Sequence, residues 1–144
     1  MSGAERLYTP ELLAITLRLA DYPWRDDLPL LGDARSRSCG STLSLGLELD
    51  GAGQVSRLGM RVRACAVGQA SAAIFADAAI GRDRAAIEDA LRGMTAWLAG
   101  EAPLPEWPGI AAIEPARAYP ARHGAMLLPW QAAAAALSSA HSNG

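Results

Sequence analysis

Cys39-Gly40-Ser41-Thr42-Leu43-Ser44-Leu45-Gly46-Leu47-Glu48-Leu49, followed by Asp50-Gly51-Ala52-Gly53 and, after Gln54-Val55-Ser56, by Arg57-Leu58-Gly59-Met60-Arg61-Val62-Arg63-Ala64-Cys65, is the stretch that decides the fold. Leucines alternate with small or polar residues before the turn, and Leu58, Met60 and Val62 alternate with glycine and arginines after it. That period of two is the mark of a half-buried strand, and the Asp-Gly-Ala-Gly segment is hairpin chemistry. If the hairpin closes symmetrically about Gly51-Ala52, Leu45 faces Leu58, Leu43 faces Met60, Thr42 faces Arg61 and Ser44 faces Gly59. Apolar then meets apolar, as one buried face requires, and a slip of one residue would mix the faces. The same register sets Cys39, at the head of the first strand, opposite Ala64 and so beside Cys65. Opposed residues have Cβ atoms roughly 5 Å apart, so a single bulge would bring the two sulfurs together.

Outward from the hairpin the chain reads as helical. Thr9-Pro10-Glu11 is a helix start, with a capping hydroxyl, a proline suited to the first turn and a carboxylate at the positive end of the dipole. Leu12, Leu13, Ile15, Leu17 and Leu19 continue it to Asp21-Tyr22-Pro23. Residues 23–38 read as a long connection in which a short strand could lie around residues 28–31. Residues 66–80 predict an Ala- and Ser-rich helix stopped by Gly81, and Asp83 caps a further helix to about residue 99 with Ile87, Leu91, Met94, Trp97 and Leu98 on one side. Five prolines between 101 and 120 make an ordered loop or short helices. A last helix spans roughly residues 122–140, with Pro129 as a point of kinking, and the tail from His141 is expected to fray. The order of helix, hairpin and helices predicts one α+β domain over residues 1–144, a small antiparallel sheet with helices packed on one face.

Composition bounds the function. The 144 residues are 51% hydrophobic with a formal net charge of −2, which suits a folded domain and gives no electrostatic footprint for nucleic acid. The apolar runs are too short to span a membrane, the start of the chain has no basic-then-apolar leader pattern, and a cytoplasmic protein is the default expectation. Two cysteines do not make a secreted disulfide framework. There is no Cys-x-x-Cys, His-Glu-x-x-His or nucleophile elbow, and Asp50-Gly51-Ala52-Gly53 is not a phosphate loop because no helix follows it. Arg57, Arg61 and Arg63 line one face of a strand, and the reading preferred for them is a solvated face that discourages edge-to-edge pairing. Cys65 stands where strand passes to helix, among free N–H groups that favour a thiolate. A lone cysteine is more often a small hydrophobe than a ligand, but two that converge at element boundaries point to metal, sulfur or redox chemistry.

Arg37-Ser38-Cys39-Gly40, the leucine-alternating strand, the turn, and Ala64-Cys65-Ala66-Val67-Gly68-Gln69-Ala70-Ser71-Ala72 together resemble the U-type iron–sulfur cluster assembly scaffold family, the NifU-like N-terminal domain of the IscU and SufU kind. Residues 8–23 and the helix from Asp83 also follow that layout, so the likeness covers most of the chain. Two departures stand out. The family's Asp two positions after its first Cys is Ser41 here, and its third Cys, near the start of the last helix, falls at Gly124 in Arg122-His123-Gly124-Ala125-Met126-Leu127, or at Ala125 if the alignment slips by one. His123 remains as a substitute ligand, since imidazole can replace thiolate on iron or zinc.

The resemblance implies a scaffold or carrier and not an enzyme. Iron or a nascent [2Fe–2S] cluster would sit at Cys39 and Cys65 with His123 as a third metal ligand, sulfur would come from a cysteine desulfurase, and cluster-accepting apoproteins would be the clients. A [2Fe–2S] cluster needs four ligands, so these residues of one chain cannot complete it, whereas a homodimer could pool four thiolates. Two alternatives follow from the lost ligands. One is a metal-free interaction or regulatory module with the family fold. The other is a zinc-bound or thiol-based sulfur-transfer protein acting through a reactive Cys65.

Overall fold

The computed structural model describes residues 7–142; residues 1–6 and the end of the tail, 143–144, fall outside the described residues. Thr9 caps the first helix, α1 (Pro10–Thr16), by accepting the Leu12 N–H at 3.1 Å. The helix is shorter than its apolar run suggests and tightens into a 3-10 turn over Leu17–Asp21. Leu12 and Ile15 fall on one helical face and are buried, while Leu13 and Leu17, one turn apart on another face, are exposed. Tyr22 then donates to Asp77 at 2.6 Å, and Arg18 pairs with the same carboxylate at 2.7 Å.

Three strands form one antiparallel sheet in the order β1 (Leu30–Arg35), β2 (Thr42–Leu49), β3 (Val55–Arg63). The hairpin of β2 and β3 is present, but its register is Leu43↔Val62, Leu45↔Met60 and Leu47↔Leu58, two residues from the symmetric closure. Two irregularities, each worth one residue, explain the shift. Gly53 takes a left-handed conformation (φ 80°) at the end of the turn, and the ladder bulges at Glu48/Leu49 beside Ser56. Two single slips restore parity, so Leu43, Leu45 and Leu47 still share the buried face. β1 is longer and later than the short strand expected around residues 28–31, and it pairs with the other edge of β2, Gly32 facing Leu45.

The opposite face of the sheet is not solvated at its centre, which corrects the expectation for the arginine face. Gly46 and Gly59 are direct partners, and residues 23–28 cross above them. A Cβ at Gly59 would overlap the Pro23 carbonyl, and one at Gly46 would touch Leu28 at 3.0 Å. Leu28 is buried there, Arg61 lies 4.7 Å over the Trp24 ring, and Arg57 bridges Glu48 (2.7 Å) to Asp27 (3.0 Å) on the crossing segment.

Helices cover the leucine face. α2 (Ala66–Ala79) is buried along nearly its whole length and ends at Gly81 (φ 90°). Asp83 caps α3 (Arg84–Leu98) by accepting the Ala86 N–H at 2.9 Å. The proline-rich stretch is ordered, with 3-10 turns over Ile110–Ala118 and Pro120–Arg122, and Trp107 pins it by donating to the Ile74 carbonyl at 3.0 Å. Trp107 stacks on Phe75, and Trp130 meets both rings edge-on at 5.4–5.6 Å, which makes the centre of the core. α4 (His123–Ser142) continues through Pro129 and stays helical into the tail expected to fray. It lies directly against β1, where Gly32 sits over its backbone. No helix of the described residues is long and apolar enough to cross a membrane.

Candidate functional site

Cys39 does not open a strand. It lies in the turn between β1 and β2, ahead of the ladder that begins at Thr42, so it does not face Ala64 across the sheet. The turn is closed by Ser36 N–H to the Ser41 carbonyl (2.8 Å) and Gly40 N–H to the Ser36 carbonyl (3.0 Å), with Gly40 left-handed at φ 72°. This geometry follows from local sequence, because glycine accepts the positive φ without strain and serines supply hydroxyls that bond back into the turn.

Cys39 is an exposed residue whose sulfur is flanked by the hydroxyls of two buried serines. Sγ lies 3.3 Å from Ser36 Oγ and 3.1 Å from Ser41 Oγ, and the two serines are 3% and 6% exposed. Hydroxyls beside sulfur favour the anion, so these hydrogen bonds, Ser36 first and Ser41 next, hold the Cys39 thiol below its ordinary value, with a smaller attraction from the Arg122 guanidinium. Ser41, at the position where the resembled family has a carboxylate, thus turns its oxygen to the sulfur. Ser36 Oγ also contacts Ser38 Oγ at 3.3 Å, and Ser38 donates to the Ala121 carbonyl at 3.1 Å, which docks the turn on the start of α4.

Cys65 is half-buried and occupies the N-cap position of α2 with extended backbone (φ −64°, ψ 171°), its side chain making no capping hydrogen bond. The segments that carry the two cysteines both reach the start of α4. A Cβ at Gly124 would overlap Ser36 Oγ in the Cys39 turn, whereas a Cβ at Gly68, one turn beyond Cys65, would meet Ala64 and, at 3.2 Å, the Ala125 methyl. Position 124 therefore faces Ser36 of the Cys39 turn, and position 125 is buried against the start of α2.

His123 does not join them. Its Nε2 lies 2.6 Å from the Arg117 carbonyl, which fixes Nε2 as the donor and ties the ring to the preceding 3-10 turn. Among the described residues no three of His, Cys, Asp and Glu come together as a group that could hold a metal. The described residues of one chain thus do not bring together the four ligands of a closed cluster site. Ser36 and Ser38 were missed in the sequence; the signal available was the Ser-x-Ser pair directly before Cys39-Gly40, a turn motif rich in hydroxyls.

No protein-family model matches the sequence, and no curated protein matches it. Solved structures do. The chain is similar to the N-terminal domain of a nitrogen-fixing NifU-like protein from Brucella abortus, with a TM-score of 0.89 and 27% identity over 99% of this chain and 100% of that one. It is also similar to a putative iron–sulfur cluster assembly scaffold protein for the SUF system from the thermophile Fervidobacterium islandicum AW-1 (TM-score 0.82, 19% identity, 93% and 98% of the two chains). A third, a hypothetical protein, gives a TM-score of 0.71 at 20% identity over 89% and 97%. The three-stranded antiparallel sheet with helices packed on it matches the NifU- and IscU-like α+β fold. These neighbours support the resemblance of the chain to the U-type iron–sulfur cluster assembly scaffolds. At the two departures from the resembled pattern this chain carries Ser41 and Gly124.

Proposed function

We propose that the chain serves iron–sulfur cluster assembly in the cytoplasm as a scaffold or carrier and not as an enzyme, taking sulfur from a cysteine desulfurase and passing its cargo to acceptor apoproteins. The cargo is iron or a nascent [2Fe–2S] unit held on the Cys39 and Cys65 thiolates, with the rest of a four-ligand shell supplied by a second copy of the chain or a small thiol. The observation that supports this reading is the likeness to a NifU-like N-terminal domain over 99% of the chain, with the segments carrying both free cysteines packed on one end of α4. Anaerobic reconstitution with iron and sulfide, comparing wild type with Cys39→Ser and Cys65→Ser, tests it. The expected result is visible thiolate-to-iron absorption and bound iron, both lost in each variant.

A second reading is favoured by the filled space at Gly124 and the engaged His123. In it the chain keeps the family fold and binds partners without metal. Reconstituted protein free of iron and zinc, with both cysteine variants folded as wild type, would remove the cargo reading and leave this one.

A further inference from the structure

The arginines of this chain divide by what they touch. Arg18, Arg25, Arg57, Arg84 and Arg92 pair with carboxylates, Arg82 and Arg117 donate to backbone carbonyls, and Arg61 lies over the Trp24 ring. Arg35, Arg37, Arg63 and Arg122 do none of these: among the described residues their side chains make no ion pair and no hydrogen bond. All four lie around the Cys39 turn. Arg35 and Arg63 stand in one row of the outer sheet face, on either side of Thr42, so their backbones are two strand spacings apart, about 9–10 Å. Arg37 is in the turn itself, and Ser38 ties that turn to the Ala121 carbonyl, next to Arg122. Arg122 is close enough to the Cys39 sulfur to favour its anion. Arg35, Arg37 and Arg63 are exposed, and Arg122 is half-buried. Asp33, the carboxylate one row further along the same face, is already engaged by the Ser44 hydroxyl at 2.6 Å.

One unpaired guanidinium on a surface is ordinary; four together, in a chain whose other described arginines are partnered, call for counter-charge from outside. We propose that Arg35, Arg37, Arg63 and Arg122 form a docking surface that seats a carboxylate-rich segment of a protein partner over the Cys39 turn. The guanidinium fork matches a carboxylate with two parallel hydrogen bonds. A depression of about 350 Å³ lined by residues 33–35 and 42–44 gives an extended segment a concave seat beside Arg35. Charge favours a short acidic segment over nucleic acid. The whole chain stands at −2, so without these four positive charges the rest stands at −6. A long polyanion reaching past the four arginines would meet a repelling surface, whereas a short segment touches only the arginines. Docking of this kind needs no metal on either cysteine, so it stands apart from the proposed cargo.

Fluorescence anisotropy of a labelled hexaglutamate peptide at low salt tests it, with the glutamine counterpart and a thymidylate oligonucleotide of equal charge as comparisons. Wild type is expected to bind hexaglutamate, to release it as salt rises, and to bind the other two less tightly. Arg35→Gln/Arg63→Gln and Arg37→Gln/Arg122→Gln should each weaken hexaglutamate binding by at least about threefold. Arg84→Gln/Arg92→Gln, which removes the same charge from α3, should weaken it less. Substitutions at such surface sites are expected to leave the chain folded, and matching urea midpoints check that they do. Saturating hexaglutamate should also slow alkylation of Cys39 by iodoacetamide in a Cys65→Ser background. Failure of iron reconstitution on wild type would weigh against the proposed cargo and leave these measurements unaffected. Docking is overturned if hexaglutamate does not bind, if either pair at the Cys39 turn weakens binding no more than the α3 pair does, or if the oligonucleotide binds more tightly. An unchanged rate of Cys39 alkylation would overturn the placement over the turn.

Discussion

Gly32→Ala should be among the most damaging single-methyl additions to this protein. Gly32 lies on the leucine face of β1, opposite Leu45, and α4 passes directly over it. A Cβ there would overlap the Ala132 carbonyl oxygen and lie 3.1 Å from the Ala132 carbonyl carbon and 2.6 Å from the Ala136 nitrogen. Those are the two ends of one helical hydrogen bond, so the obstacle is backbone and no rotamer relieves it. Restoring ordinary van der Waals separation means moving α4 off the sheet by roughly 1 Å, and α4 carries Leu128, Trp130 and Leu137, all essentially fully buried. Overpacking costs about 1–3 kcal/mol, and an unyielding backbone puts this site at the upper end. Stiffening the unfolded chain returns about 0.4–1 kcal/mol, which leaves a net loss of about 2 kcal/mol. For a chain of this size that is a Tm lower by about 6–10 °C. Urea unfolding is the assay, with the midpoint expected to fall and the slope to hold. Gly51→Ala is the control, since a Cβ at Gly51 meets nothing within 4 Å. A Gly32→Ala loss under about 0.5 kcal/mol, or one equal to that of Gly51→Ala, would refute the close sheet–helix approach.

Alkylation of Cys39 by iodoacetamide, followed against pH in a Cys65→Ser background, should titrate below an ordinary cysteine. Ser36→Ala and Ser41→Ala should each move the profile up; identical profiles in all three would remove the hydroxyls as the cause. The sign for stability follows from the same shift: folding lowers this pKa, so the thiolate contributes above the unfolded value and the contribution is lost as pH falls through the folded one, as seen in melts of wild type and Ser36→Ala across that range. Asp83→Ala removes the hydrogen bond to the Ala86 N–H and should cost about 1 kcal/mol in urea unfolding, whereas Asp83→Ser should recover most of it; equal losses would mean that the cap contributes little.

Local chemistry made the helices legible. Thr9, Asp83 and Gly81 mark helix ends by their own side chains or lack of one, and each ends an element where it was read. The hairpin's faces were legible for the same reason, because period-two alternation survives any even slip. Its register was not, since the left-handed Gly53 and the bulge at Glu48/Leu49 each add a residue that leaves no mark in the hydrophobic pattern. The cover over the outer sheet face was written in the sequence as glycine in both strands, Gly46 and Gly59, but only the true register makes them neighbours. Cys39 was misplaced into a strand because Cys39-Gly40-Ser41 is polar and compact enough to extend the alternation, whereas the Ser36 and Gly40 backbone bonds fold it into a turn.

That misplacement bears on how the site works. Two cysteines opposed across a ladder would be fixed by the sheet and would constrain each other. Here one thiol rides on a turn and the other on a helix cap, and what relates them is the start of α4, touched by the Cys39 turn through Ser36 and by the head of α2 through Ala125. The turn that carries Cys39 and the helix headed by Cys65 thus meet the start of α4 through small residues, Ser36 against Gly124 and Gly68 against Ala125, and not through a hydrogen-bonded ladder. Small residues at such a junction carry consequences out of proportion to their size, because one added carbon at 124 strikes the serine that holds the Cys39 sulfur. Position 124 is thus not an empty slot beside Cys39: the neighbouring turn packs against it through Ser36, and the packing at the start of α4 is part of what surrounds the Cys39 thiol.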